Sequence, residues 1–112
     1  MRWFTVYLKP FKFDDVLEAL LAFGVETPGG IRALTVEPVR GYGRQKGHLE
    51  LYRDDGDRMT FLPKLRLEFA APRSREREII DAVREAARTG RIGDGKILVR
   101  ELRAHHPLAD GG

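Results

Sequence analysis

The chain has 112 residues, 42% hydrophobic and 33% charged, with a formal net charge of +3 and no cysteine. That is the balance of one soluble folded domain, not of a disordered chain, and it excludes disulfides and thiolate chemistry. No apolar run is long enough to span a bilayer, no secretory leader pattern is present, and the charges alternate in sign without the like-charge run of a nucleic-acid arm.

Residues 2–9 alternate, with Phe4, Val6 and Leu8 on one side and Trp3, Thr5, Tyr7 and Lys9 on the other, which predicts a strand ended by Pro10. Phe13, Val16, Leu17, Leu20 and Leu21 follow helical spacing, Asp14 and Asp15 suit the positive end of the helix dipole, and Gly24 suits termination. The segment 25–32 reads as a loop and Ala33–Val39 as a second strand, weakened at Pro38. Residues 41–58 show no period, and a loop of that length in a small domain is usually functional. A third strand follows, with Phe61, Leu65, Leu67 and Phe69 on one side and Lys64, Arg66 and Glu68 on the other. Ser74 reads as an N-cap for a second helix whose buried face holds Ile79, Ile80, Val83 and Ala87. Thr89–Gly95 is a glycine-rich loop, a fourth strand starts at Ile97 and runs to Arg103, and the tail 104–112 reads as frayed.

The order βαββαβ predicts an α+β, ferredoxin-like domain: a four-stranded antiparallel sheet with two helices on one face. Its other face, expected to carry Trp3, Tyr7 and Leu34, would be uncovered and partly apolar, which predicts self-association.

Gly90–Lys96 has the glycine and lysine spacing of a P-loop. Ile97 stands where the magnesium-binding hydroxyl belongs, and the loop runs from helix to strand, the reverse of a P-loop. Converging backbone amides with Lys96 and Arg91 still suit an anion. Gly41–Gly47 resembles a dinucleotide fingerprint only superficially, because its third glycine is misplaced and no helix follows.

Four stretches together resemble the PII signal-transduction family: Lys9-Pro10-Phe11-Lys12, GYGRQKGHLELYR (41–53), Phe61-Leu62-Pro63-Lys64 and TGRIGDGKI (89–97). The resemblance runs in order from about residue 2 to residue 99 and implies a cytoplasmic, non-catalytic regulator of nitrogen or carbon metabolism. It implies a homotrimer with ATP or ADP, AMP being a further option, in clefts between subunits. It also implies a long T-loop, 41–58 here, that docks on a transporter, enzyme or regulator, so that the protein is recruited to a membrane only through its partner. The phosphate-binding loop would be 89–96, with Gly93, Asp94, Gly95, Lys96 and Arg91 at the nucleotide, and Thr35, Gly43, Arg44 and Ala70 on further nucleotide-contact positions. Gln45 falls where the family ligates magnesium, through bound ATP, and 2-oxoglutarate; Lys64 falls where a lysine pairs with the 2-oxoglutarate carboxylate. A neutral amide oxygen suits magnesium, a hard cation. The T-loop candidates for partner contact are Lys46, His48, Tyr52, Arg53, Asp55 and Asp57.

The sequence departs from the family at three places. Asp57 and Asp55 stand where other members carry the uridylylated tyrosine and the phosphorylated serine, and Tyr52 matches a different tyrosine. Pro107 and Ala109 stand near the positions of two phosphate-holding arginines. The 25–32 loop is longer than in common members. These departures keep an alternative open within the family: a regulator of bicarbonate uptake, carboxysomes or metal transport that binds ADP or AMP, with bicarbonate as effector. A second alternative is an RNA-binding ferredoxin-like domain that uses Trp3 and Tyr7 on the open face, although no RNP motif is present.

Overall fold

The computed structural model describes residues 1–45 and 58–109. The elements are β1 (Arg2–Leu8), α1 (Phe13–Leu21), β2 (Arg32–Gln45), β3 (Arg58–Ala71), α2 (Glu76–Ala87) and β4 (Gly95–Glu101). One-turn 3-10 helices, Pro10–Lys12 and Arg73–Arg75, lead into the two α-helices. The sheet order is β2-β3-β1-β4 with every neighbouring pair antiparallel, which is the expected ferredoxin-like arrangement.

The period-two pattern of β1 sorts its side chains as expected. Phe4, Val6 and Leu8 are buried with Leu67, Phe69 and Ala71 of β3 against Val16 and Leu20 of α1 and Ile79 and Val83 of α2. Phe4 and Phe69 stack with ring centroids 4.9 Å apart, which locks the two central strands together. Gly24 closes α1 with φ of +85°, a conformation glycine adopts without steric cost, and its N–H donates to the Leu21 carbonyl.

Four expectations need correction. Ser74 is no N-cap: it lies inside the 3-10 turn, and α2 starts without a side-chain capping bond. Leu34 is not on the open face: the β2–β3 register shifts between Arg32 and Thr35, Ala33 takes φ of +56°, and Leu34 turns to pack against the core. β4 begins at Gly95 and ends at Glu101, two residues short of Arg103. β2 also runs on through Gly41–Gln45, paired with Arg58–Leu62, so both ends of the 41–58 segment are strand. Pro38 does not stop β2, because β2 is an edge strand with one side free of ladder bonds. Pro63 is tolerated in β3 because β1 ends opposite Leu65, which leaves Pro63 paired with β2 alone.

The 25–32 loop is a built feature. Val25 bridges Ile31, Glu26 N–H donates to the Ile31 carbonyl at 2.8 Å, Ile31 N–H to the Gly24 carbonyl at 2.9 Å, and Ala33 N–H to the Glu26 carboxylate at 2.7 Å. These bonds hold Ile31, fully buried, in the core. Ile31→Ala is expected to cost about 2–5 kcal/mol of stability, read as a shift in the urea midpoint at constant slope. A loss under half a kcal/mol would mean that the loop does not anchor the core.

Candidate functional site

The loop between α2 and β4 is shaped by its own carboxylate. Gly90 and Gly93 turn the chain with φ of +82° and +86°. That places the Asp94 carboxylate to accept from Thr89 N–H at 2.8 Å, from Gly90 N–H at 3.0 Å and from the Thr89 hydroxyl. Lys9, just past the end of β1, adds an ion pair to Asp94 at 3.1 Å and donates to Thr89 Oγ1 at 3.4 Å. Burial works to raise the Asp94 pKa, but the bonds from Thr89, Lys9 and Gly90 outweigh it and hold the acid well below the usual carboxylate range.

The sign of the pH effect follows. With a folded-state pKa below the unfolded one, Asp94 stabilises the protein above about pH 4, the ordinary carboxylate value, and the contribution fades as pH falls through the lower folded value. Asp94→Asn is therefore expected to be less stable at neutral pH and to show a shallower acid loss than wild type. Superimposable acid-denaturation curves for the two proteins would rule this role out.

Lys64 reaches the same loop from β3 and donates to the Gly93 carbonyl. Its ammonium is pushed down from the ordinary lysine value first by burial and then by the nearby Lys9 charge, with Asp94 pulling the other way. Its aliphatic stem lies against Gly41 of β2, where an added Cβ would sit 3.2 Å from Lys64 Cγ. Lys9, Lys64 and the 89–95 loop thus form one basic end of the sheet, and Gly41 joins it to the β2–β3 arm. Lys9 is not among the site residues expected from the sequence, and Thr89 lies inside the expected 89–96 loop without a role of its own. The available signal was a hydroxyl and a carboxylate bracketing the glycines of TGRIGDG.

Gly95 opens β4 with φ of +120°, and a Cβ there would lie 1.8 Å from the Tyr7 carbonyl oxygen. Lys96 and Arg91 are exposed, and among the described residues neither makes an ion pair. Two loop amides are taken by Asp94, so an incoming phosphate is left the Gly93–Lys96 side of the loop with these two cations.

Other candidates are not brought to this loop within one chain. Thr35 pairs with Glu68 on β2, three strands from β4, which is ~14 Å across the sheet. Ala70 pairs with Trp3, six residues or ~20 Å along β3 from Lys64. Gly43, Arg44 and Gln45 lie out along the arm, opposite Thr60, Met59 and Arg58. Gln45 is six residues from Val39, the pairing partner of Lys64, again ~20 Å away. Lys46, His48, Tyr52, Arg53, Asp55 and Asp57 lie outside the described residues.

The open sheet face is polar at its centre. Glu68 accepts from Thr5 Oγ1 at 2.7 Å and from Trp3 Nε1 at 3.2 Å. The Thr5 bond does most to lower the Glu68 pKa, against the effect of burial. Beside it Arg66 pairs with Glu37, while the buried Arg66 Nε finds no acceptor among the described residues. The Trp3 indole N–H is thus engaged by Glu68.

The described residues thus join a ferredoxin-like sheet to a glycine loop braced by its own carboxylate, with Lys9 and Lys64 at its edge. The chain belongs to the nitrogen regulatory protein P-II family, whose model matches residues 1–105 and whose members are non-catalytic signal transducers. It is 48% identical over 103 residues to nitrogen regulatory protein GlnK of Escherichia coli K12, covering 92% of this chain and 87% of that one. It is 46% identical over 102 residues to nitrogen regulatory protein P-II of Rhizobium etli, covering 91% and 86%. It is also 46% identical over 99 residues to P-II of Haemophilus influenzae, covering 88% and 83%. Among the described residues no helix is long and apolar enough to cross a membrane.

Proposed function

We propose that this protein is a homotrimeric, nucleotide-binding regulator of nitrogen or carbon metabolism that acts on a partner protein through the 41–58 segment. The observation that carries the reading is the loop itself. Asp94 and Lys9 brace it from within, and among the described residues Lys96 and Arg91 make no ion pair, which suits them to phosphates. A preformed site spares the ligand the cost of ordering it.

The separation of Thr35 and Ala70 from this loop supports a cleft completed by a second subunit. Both face the uncovered side of the sheet, where Arg66 Nε also lacks an acceptor among the described residues. Trimer formation would cover that side and bring one subunit's β2 edge toward another's β4 edge. Native mass spectrometry is expected to show three chains; a monomer at micromolar concentration would rule out a shared cleft.

Within this reading Lys64 pairs with an effector carboxylate, 2-oxoglutarate being the leading candidate. Gln45 joins it, with magnesium held through ATP, only if the base of the arm folds back toward the loop. Ligand-dependent folding of the arm is then the signal, and an effector can shift the arm only by its differential affinity for the two states. Calorimetry with ATP, ADP and AMP, with and without magnesium and 2-oxoglutarate, tests the scheme. Absence of binding by every adenine nucleotide at millimolar concentration would sink it.

A second reading within the family rests on the tail, where Pro107 and Ala109 offer no cation for phosphates. Binding of ADP or AMP over ATP, and of bicarbonate in place of 2-oxoglutarate, would favour that reading.

A further inference from the structure

The 25–32 loop anchors Ile31 in the core and also decides which face of the sheet Arg32 takes. Arg32 pairs with Ala70 and Thr35 with Glu68, so Ala33 and Leu34 together stand opposite Phe69 alone. Strict alternation back from Thr35 would turn Arg32 toward the core and Ile31 away from it. The bulge removes that conflict. Ile31 and Leu34 both reach the core, and Arg32 and Thr35 both lie on the uncovered face with Ala70 and Glu68. The placement is held under strain. Glu26 and Ala33, neither of them glycine, both take φ of +56°, and Ala33 N–H donates to the Glu26 carboxylate at 2.7 Å. Strain of this kind persists only where the surrounding structure enforces it, and it gathers at ligand sites.

Arg32 is held in place but not satisfied. Its side chain is 25% exposed, and the Glu26 carboxylate, its ion-pair partner, is 3.7 Å away, too far for a hydrogen bond. Among the described residues none of the guanidinium donors makes a hydrogen bond. Ala70, an expected nucleotide contact, is itself fully buried and offers a ligand no side chain. The residues that flank it in register on the same face are Trp3, whose indole N–H is engaged by Glu68, and Arg32. A ligand that reaches this position meets Arg32.

We infer that Arg32 recognises the base of the bound nucleotide, its guanidinium donating to the ring nitrogens of a purine in the shared cleft. This rests on the nucleotide cleft proposed above and adds the residue that meets the base. A planar fork of donors suits the acceptor edge of a purine. A phosphate suits the position less well, because the Glu26 carboxylate beside the guanidinium would repel it. The cations for the phosphates, Lys96 with Arg91, belong to β4 and its loop, at the opposite edge of the sheet.

The test is calorimetry of the full chain with ATP, ADP and AMP. Wild type is compared with Arg32→Met, which keeps the stem and removes the donors, and with Arg32→Lys, which keeps the charge and loses the planar fork. All three nucleotides share the base, so each is expected to bind Arg32→Met about tenfold more weakly, by one common factor. Arg32→Lys is expected to match Arg32→Met, and native mass spectrometry is expected to show three chains for every variant. Failure of every adenine nucleotide to bind wild type overturns the cleft and this role with it. If wild type binds nucleotide, the role of Arg32 alone is overturned by equal affinity in Arg32→Met, by full rescue in Arg32→Lys, or by a loss that grows with the number of phosphates. Loss of the trimer in Arg32→Met would place its partner on the neighbouring subunit and overturn the role as well. If Arg32→Met fails to fold, Arg32→Lys decides alone.

Discussion

Gly95→Ala is expected to destabilise the protein by about 3–5 kcal/mol, at the upper end for a single methyl group. Two effects combine at this position. A φ of +120° lies outside what an L side chain adopts easily, and the added Cβ would lie 1.8 Å from the Tyr7 carbonyl oxygen. That oxygen belongs to backbone in the centre of the sheet, so no rotamer change relieves the overlap. Either the first β4–β1 pair, Gly95 with Leu8, separates, or β1 shifts against β3 and disturbs the buried Leu8. The same movement displaces Asp94, the neighbour that braces the loop. Urea denaturation should show the loss in stability, and calorimetry should show nucleotide binding lost with it. A variant within 1 kcal/mol of wild type would mean that the close approach is not built into the native state.

Lys96→Ala should behave in the opposite way. Lys96 is exposed, and among the described residues it makes no ion pair, so its removal is expected to change stability by less than about 0.5 kcal/mol. Its ammonium is the cation next to the loop glycines. A charged hydrogen bond to phosphate is worth about 1.5–3 kcal/mol, so ATP affinity should fall about 10- to 100-fold. The loss should be larger for ATP than for AMP, whose single phosphate offers fewer oxygens. Unchanged ATP affinity with an unchanged melting curve would place the phosphates elsewhere. Together the two variants separate a residue that holds the loop's shape from one that meets the ligand.

Much of this was legible before folding. The alternation in β1 and the helical spacing from Phe13 to Leu21 reflect local geometry, and each element formed where its pattern lay. The resemblance to the P-II family, resting on the motifs from Lys9 to Ile97, was confirmed by the family match over residues 1–105. The extent of β2 was not legible. Pro38, Gly41 and Gly43 argue against a strand, and only pairing with β3 overrides that local preference. The face of Leu34 is not legible either, because one irregularity in register between Arg32 and Thr35 reverses it. Ser74 has the chemistry of a cap, but the 3-10 turn that contains it leads into the helix without a capping side chain.

The site divides along the same line. Glycines and a lysine at suitable spacing mark an anion loop, because glycine's freedom and lysine's charge are properties of the residues themselves. That Asp94 is turned inward, as the loop's own brace, depends on Lys9 arriving from a strand 85 positions earlier in the numbering. That Lys64 touches Gly93 depends on where β3 lies relative to the loop. That Gln45 and Lys64 are far apart depends on the arm remaining paired to its end. Element order and charge inventory are local properties and can be read from a string. The partners of each charge are set by contacts between distant segments, and only the folded sheet determines which ammonium meets which carboxylate and which is left for a ligand.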